Sequence, residues 1–261
     1  MRPGIERLTP RFLEKVWGST HIEPLFPHHD AKIGEVWLES GHPLPLLLKF
    51  IFTTEKLSVQ VHPGDEYAAL HHQSAGKTEM WHVVAAQPGA QVAVGFRDPL
   101  SRDELREAAV SGTIEQLLEW YDATQGDTFF LPAGTVHAIG PGLVMCEIQQ
   151  QSDITYRLYD YGRPRELHLE HALAVSHRGP SDPRAESTEG ILVACDYFTT
   201  SLVKVRGMAE LPERAGQFIV AIRGKGSVER DPARPGDAWF AESGAVQIEG
   251  ELELLVAQGA Q

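Results

Sequence analysis

The chain has 261 residues, 42% of them hydrophobic and 23% charged, enough for one large β-rich domain or two smaller ones with an ample core. A formal charge of −13 with no Lys/Arg cluster argues against binding a nucleic-acid backbone, and no run of about 18 uncharged apolar residues offers a membrane span. Two cysteines, Cys146 and Cys195, sit in apolar segments as expected in a reducing compartment, and MRPGIERLTPRF holds no apolar leader, so the expected location is the cytoplasm.

Seventeen prolines and 24 glycines spread along the chain suit many short strands joined by turns. Residues 1–40 contain short β-like pieces around Trp17 and from Ile33 to Leu38, separated by a polar loop at His28-His29-Asp30 whose histidines read as surface groups. Leu46 to Phe52 reads as a buried strand. Lys49 inside it either snorkels at an edge or faces a wet cavity.

Ser58-Val59-Gln60-Val61-His62-Pro63 alternates apolar and polar residues, which predicts a strand with Gln60 and His62 on one face. Gly64 to Leu70 is a helical turn opened by acids, as the helix dipole favours. Lys77-Thr78-Glu79-Met80-Trp81 begins the next strand, again with two polar side chains, Lys77 and Glu79, on one face. Met80–Ala86 and Gln91–Phe96 form a hairpin across Pro88-Gly89. Ser101 to Tyr121 is the clearest helical region, with capping-box spacing at Ser101 and Glu104 and a break at Gly112. Then come a strand ending at Leu131, a Pro-Ala-Gly corner, and a strand carrying His137. Leu143–Gln150 and Ile154–Leu158 are further strands. Residues 177–186 lie in a Ser/Pro/Arg/Glu-rich stretch without hydrophobic period and read as a linker, followed by short strands at 191–205, 217–222, 238–240 and 245–256.

The segment Gly126–Gly140 aligns without a gap on Gly236–Gly250, sharing Gly-Asp, an aromatic pair, a corner glycine, Val and the final Gly. His137 falls on Gln247, and Glu79-Met80-Trp81 falls near Gln217-Phe218-Ile219. The two halves therefore read as copies of one β-barrel unit, the second lacking ligands. Gln60, His62, Glu79 and His137 offer an amide oxygen, two imidazoles and a carboxylate. That set suits a borderline divalent ion, zinc first, with manganese, iron or cobalt as alternatives. One weak neutral ligand leaves room for water or a substrate oxygen, the mark of a catalytic site.

The motifs Gln60-Val-His62-Pro, Lys77-Thr-Glu79-Met-Trp, Pro132-Ala-Gly-Thr-Val-His137-Ala and Glu147-Ile-Gln-Gln-Gln-Ser-Asp153-Ile-Thr-Tyr156-Arg157-Leu-Tyr-Asp160 together resemble those of type I mannose-6-phosphate isomerases, in the short bacterial form, over roughly residues 10–175. The resemblance implies a mainly β protein of two related cupin (jelly-roll) barrels with a short helical insertion. It implies a catalytic metal-binding domain over 1–176 and a smaller degenerate cupin-like domain over 187–261. One zinc per chain would be held by Gln60, His62, Glu79 and His137, and Arg157 would be the essential arginine. Long members of the family carry a helical domain that this chain lacks.

The implied reaction interconverts mannose 6-phosphate and fructose 6-phosphate through an enediol, so charge develops on O1 and O2. A metal and a fixed guanidinium, Arg157, suit that charge. The proton carrier is Lys77 or Glu147. Lys49, Lys77 and Arg157 are the candidate substrate-binding residues, with Arg163 and Arg165 as further phosphate candidates. A non-catalytic sugar-phosphate-binding or sensing cupin is the alternative, and an iron cupin oxygenase would ordinarily use more histidine.

Overall fold

The computed structural model describes residues 4–185 and 188–260. They form two compact units, one of Met1–Lys15, Ser19–Phe50 and Ala185–Gln261, the other of Val16–Gly18 and Ile51–Arg184. The units are interleaved along the chain, whereas the sequence suggested continuous domains over 1–176 and 187–261.

The second unit is built on a five-stranded antiparallel sheet. Its order is Tyr156–Tyr159, Val59–Val61, His137–Ile139, Gln91–Phe96 and Leu118–Asp122. Strand alternation gives this sheet two different faces. Val59, Val61, Ala93, Ala138 and Leu158 pack outward on Leu105, Ala108 and Ala109 of the helix Arg102–Ser111 and on Ala172 and Leu173 of the helix Leu169–Val175. Val92, Val94 and Ile139 point inward, against Trp81, Val83, Phe129, Leu131 and Met145 from a facing antiparallel set. That set is Leu143–Gln150, Glu79–Ala86 and Thr128–Leu131. Trp81, Phe129, Val92 and Val94 are fully buried, and burial of each such side chain contributes about 1.5–3 kcal/mol. This is the jelly-roll packing that the resemblance implies.

The capping box at Ser101 and Glu104 forms as its spacing predicts, and Gly112 closes the helix with φ +80°. A second short helix, Ile114–Leu117, follows, but the expected helix does not reach Tyr121. Leu118–Asp122 is instead a strand, because pairing with Gln91–Phe96 satisfies its backbone in the sheet and overrides local propensity.

The expected linker is a strap across this unit. His177 bridges Thr135, Pro180 bridges Gly95, and Arg184 bridges Phe129. The Leu100 N–H donates to Arg178 O at 2.7 Å, and Phe130 N–H donates to Pro183 O at 2.8 Å. A polar, Pro-rich stretch has no side-chain period, but its backbone can still pair. Gly95 lets the strap approach: φ is +70°, and a Cβ there would lie 2.9 Å from Ser181.

The first unit contains a seven-stranded antiparallel sheet in the order Ile5–Arg7, Ala238–Ala241, Gln217–Val228, Val246–Gly259, Phe198–Leu211 and Ile191–Ala194, with Asp231–Ala233 pairing Gln217–Val228. Ile5, Val205, Ile219, Trp239, Leu252 and Leu254 form its core. The internal repeat is visible bond by bond. Gly126 and Gly236 take φ +93° and +95°, and Asp127 and Asp237 accept the N–H of Thr124 and Arg234 at 2.8 and 3.0 Å. Glu79 stands opposite Leu131 in one copy, and Gln217 opposite Ala241 in the other. In the second copy, Gln217 is buried with its amide bonded to Pro212 O, and Gln247 is exposed. Neither matches a ligand in chemistry.

Candidate metal centre

Residues directly opposite one another in an antiparallel sheet carry their side chains on the same face. Gln60 stands opposite Arg157 on one side and His137 on the other. Three neighbouring strands therefore set Arg157, Gln60 and His137 in one inward-facing row. His62, two residues after Gln60, falls on the same face. From the facing set come Glu79 and Trp81, with Gln149 opposite Glu79 and Glu147 opposite Trp81.

The side chains converge. His62 Nε2 lies 3.5 Å from Glu79 Oε2, and His137 Nε2 lies 3.5 Å from Glu79 Oε1. All three residues are at most 2% exposed, and their ligand atoms lie within 4.8 Å of one another. The two imidazole rings are 4.8 Å apart, and Trp81 packs edge-on to His137 at 5.3 Å. Each ring is oriented from behind: His62 Nδ1 meets Ile154 O at 2.8 Å, and His137 Nδ1 meets Thr135 O at 2.9 Å. A carbonyl can only accept, so each Nδ1 carries the hydrogen and each Nε2 turns its lone pair toward Glu79. Histidines that ligate metals are held in this way.

Gln60 completes the set with one adjustment. Its amide nitrogen faces His137 Nε2 at 3.2 Å, while its oxygen accepts from the Ser58 hydroxyl at 3.1 Å. Half a turn of the amide would present the oxygen to the cluster, and Ser58, able to accept as well as donate, would keep its hydrogen bond. Two oriented imidazoles, a buried carboxylate between them and a neutral amide fit a borderline divalent ion such as zinc.

Lys77 closes the cluster with a cation of its own. Its Nζ lies 2.6 Å from Glu79 Oε2, 2.8 Å from His62 Nε2 and 3.6 Å from Glu147 Oε1. Glu147 Oε2 in turn accepts from Trp81 Nε1 at 3.0 Å, which fixes the carboxylate. Both proton-carrier candidates therefore belong to one contact chain. Cys146, the residue before Glu147, faces away, and burial pushes its thiol well above the usual range, so it stays protonated.

Arg157 forms no ion pair among the described residues. Its one side-chain hydrogen bond runs from Nη1 to Glu166 O at 3.2 Å. Burial lowers its pKa, aided by Arg165 and opposed by Asp160 and Glu166, yet a guanidinium stays charged at neutral pH. His168, whose Nδ1 accepts the Arg157 N–H at 3.2 Å, is held below its ordinary range by burial and by the Arg157 charge. Two of the other basic candidates are engaged with an acid on their own loop. Arg163 and Arg165 both bind the buried Asp160 carboxylate, Arg165 with two hydrogen bonds. Lys49 belongs to the other unit, where it is buried with Nζ 5.7 Å from the Trp37 ring.

Sequence reasoning overlooked Gln149. It is fully buried, and its amide nitrogen bonds Gln150 O and Ser152 O. The amide orientation is thereby fixed, and Oε1 has no hydrogen-bond partner among the described residues. The available signal was its position, two residues past Glu147 and hence on the same face.

No family model matches the chain. A curated mannose-6-phosphate isomerase of Bacillus subtilis is 34% identical over 259 aligned residues, which span 90% of this chain and 81% of that protein. The crystal structure of the Bacillus subtilis mannose 6-phosphate isomerase superposes with a TM-score of 0.84 at 29% identity, covering 97% of this chain and 98% of that one. A zinc-bound mannose 6-phosphate isomerase shares the fold at a TM-score of 0.79 and 15% identity, covering 99% and 100%.

Proposed function

The chain belongs to the mannose-6-phosphate isomerase family, and from that premise we propose how its residues divide the work of interconverting mannose 6-phosphate and fructose 6-phosphate. The observation that carries the reading is the convergence of His62 Nε2 and His137 Nε2 on one buried carboxylate, Glu79. Gln60, His62, Glu79 and His137 would hold one zinc ion, which would supply Lewis-acid polarisation to the sugar oxygens.

Arg157, in the same row as Gln60 and His137, presents its remaining N–H groups to the enediolate oxygens. Lys77 Nζ and Glu147 Oε1, 3.6 Å apart, carry the proton between C1 and C2, and Trp81 Nε1 holds Glu147 at the right angle. The closely packed Trp81, Val92, Val94 and Phe129 keep bulk water from the inner face. Lys49 remains a proposed phosphate contact on the strength of its buried charge alone. The acidic charge and two free cysteines support a cytoplasmic enzyme that acts on a small sugar phosphate, without nucleic acid or membrane. No described helix is long and apolar enough to cross a membrane.

The deciding experiment is a coupled assay on mannose 6-phosphate beside glucose 6-phosphate, with elemental analysis of the same sample. Expected are about one divalent ion per chain, turnover of mannose 6-phosphate, and loss of turnover on chelation. Turnover that survives complete metal removal would sink the metal assignment. Saturable sugar binding without solvent-hydrogen exchange at C2 would instead make the protein a sensor.

A further inference from the structure

We propose a second divalent-metal site in the first unit, on the surface loop that carries His21, Glu23 and His28. The ligand atoms of these three residues lie within 4.8 Å of one another. The Glu23 carboxylate stands between two imidazoles: Oε2 is 3.9 Å from His21 Nδ1, and Oε1 is 3.8 Å from His28 Nδ1. These separations are too long for hydrogen bonds. They are close to what two ligands bound at about 2.0–2.1 Å to one zinc ion would show after a small inward shift. The two ring centroids lie 5.1 Å apart, with the rings tilted by 48°.

The loop itself is built and not a random stretch of surface. Its neck is closed by His29 N–H donating to Thr20 O at 3.2 Å, and Phe26 N–H donates to Ile22 O at 3.1 Å. Ile22, Leu25 and Phe26 are buried beneath it. The Ser19 hydroxyl binds His21 at both its N–H and its carbonyl, at 3.0 and 2.9 Å. The apolar residues face down and His21, Glu23 and His28 face out, so the backbone that carries them is set before binding. Two imidazoles and one carboxylate select zinc, nickel or copper and pass over magnesium and calcium. Exposed to solvent, the site binds more weakly than the buried one.

The test is calorimetric titration of zinc into the protein with the buried site already loaded, beside the isomerase assay. The expected result is a second, weaker zinc equivalent. His28→Ala and Glu23→Gln should abolish it or weaken it at least tenfold, about 1.4 kcal/mol, while the first equivalent and turnover are unchanged. A His62→Ala background isolates the surface site from the catalytic one: binding there should persist and vanish when His28→Ala is added. A single equivalent in the unmodified protein, or a second equivalent indifferent to His21→Ala and His28→Ala, would overturn the proposal.

Discussion

At the scale of single residues, the inward row makes different demands on Arg157 and on the ligands. Arg157→Lys keeps a positive charge but loses the planar fork, so kcat is expected to fall by about 10²–10³ with metal content unchanged. Steady-state kinetics with elemental analysis separates this from misfolding, because a lost structural bridge would lower stability and metal content together. Glu79→Gln removes the carboxylate on which both imidazoles converge. The expected outcome is loss of bound zinc and of turnover, read by elemental analysis of the purified variant. For Lys77 and Glu147, deuterium wash-in at C2 is the informative readout. Lys77→Met and Glu147→Gln should each suppress it, and undiminished exchange in both would remove this pair from the mechanism.

At the scale of elements, the strap over residues 177–184 and the packing around Tyr156 make separate demands. Gly95→Ala would force a non-glycine residue into φ +70° against Ser181. A cost of about 1–3 kcal/mol is expected, measurable as a lower urea midpoint with little change in KM. Tyr156 is buried on the strand beside Gln60, with its hydroxyl 2.6 Å from His72 Nε2 on the helix Asp65–His72. Burial, with a smaller effect from Tyr67, pushes its pKa up from 10.0 to about 12. A phenol with a raised folded-state pKa stabilises the fold fully below pH 10, and that stability is lost as pH rises through about 12. Tyr156→Phe should therefore flatten the fall in stability over this alkaline window, as followed by denaturant melts at several pH values. An unchanged slope would show that another group titrates there.

At the scale of the molecule, zinc binding and folding are expected to be coupled. The proposed ligands are spread from Gln60 to His137, so the unfolded chain does not hold them together. At a free zinc concentration 1,000 times Kd, binding stabilises the native state by about 4.1 kcal/mol. Chelation should lower Tm accordingly in scanning calorimetry, and zinc should restore it. A Tm indifferent to chelation would mean that the barrel is held by its core alone.

Strand periodicity placed Gln60 with His62 and Lys77 with Glu79, capping chemistry placed the helix at Ser101, and the repeat placed Gln217 against Glu79. Each of these depends on neighbours along the chain, so local sequence was enough to determine them. The chain alone did not reveal the row Arg157–Gln60–His137, which exists only through strand register. It did not reveal that Leu118–Asp122 leaves the helix for a sheet, or that residues 177–184 pair with the barrel. Those outcomes were decided by tertiary structure, because a backbone pairs with whichever partner folding brings within about 3 Å, and that partner lies dozens of residues away.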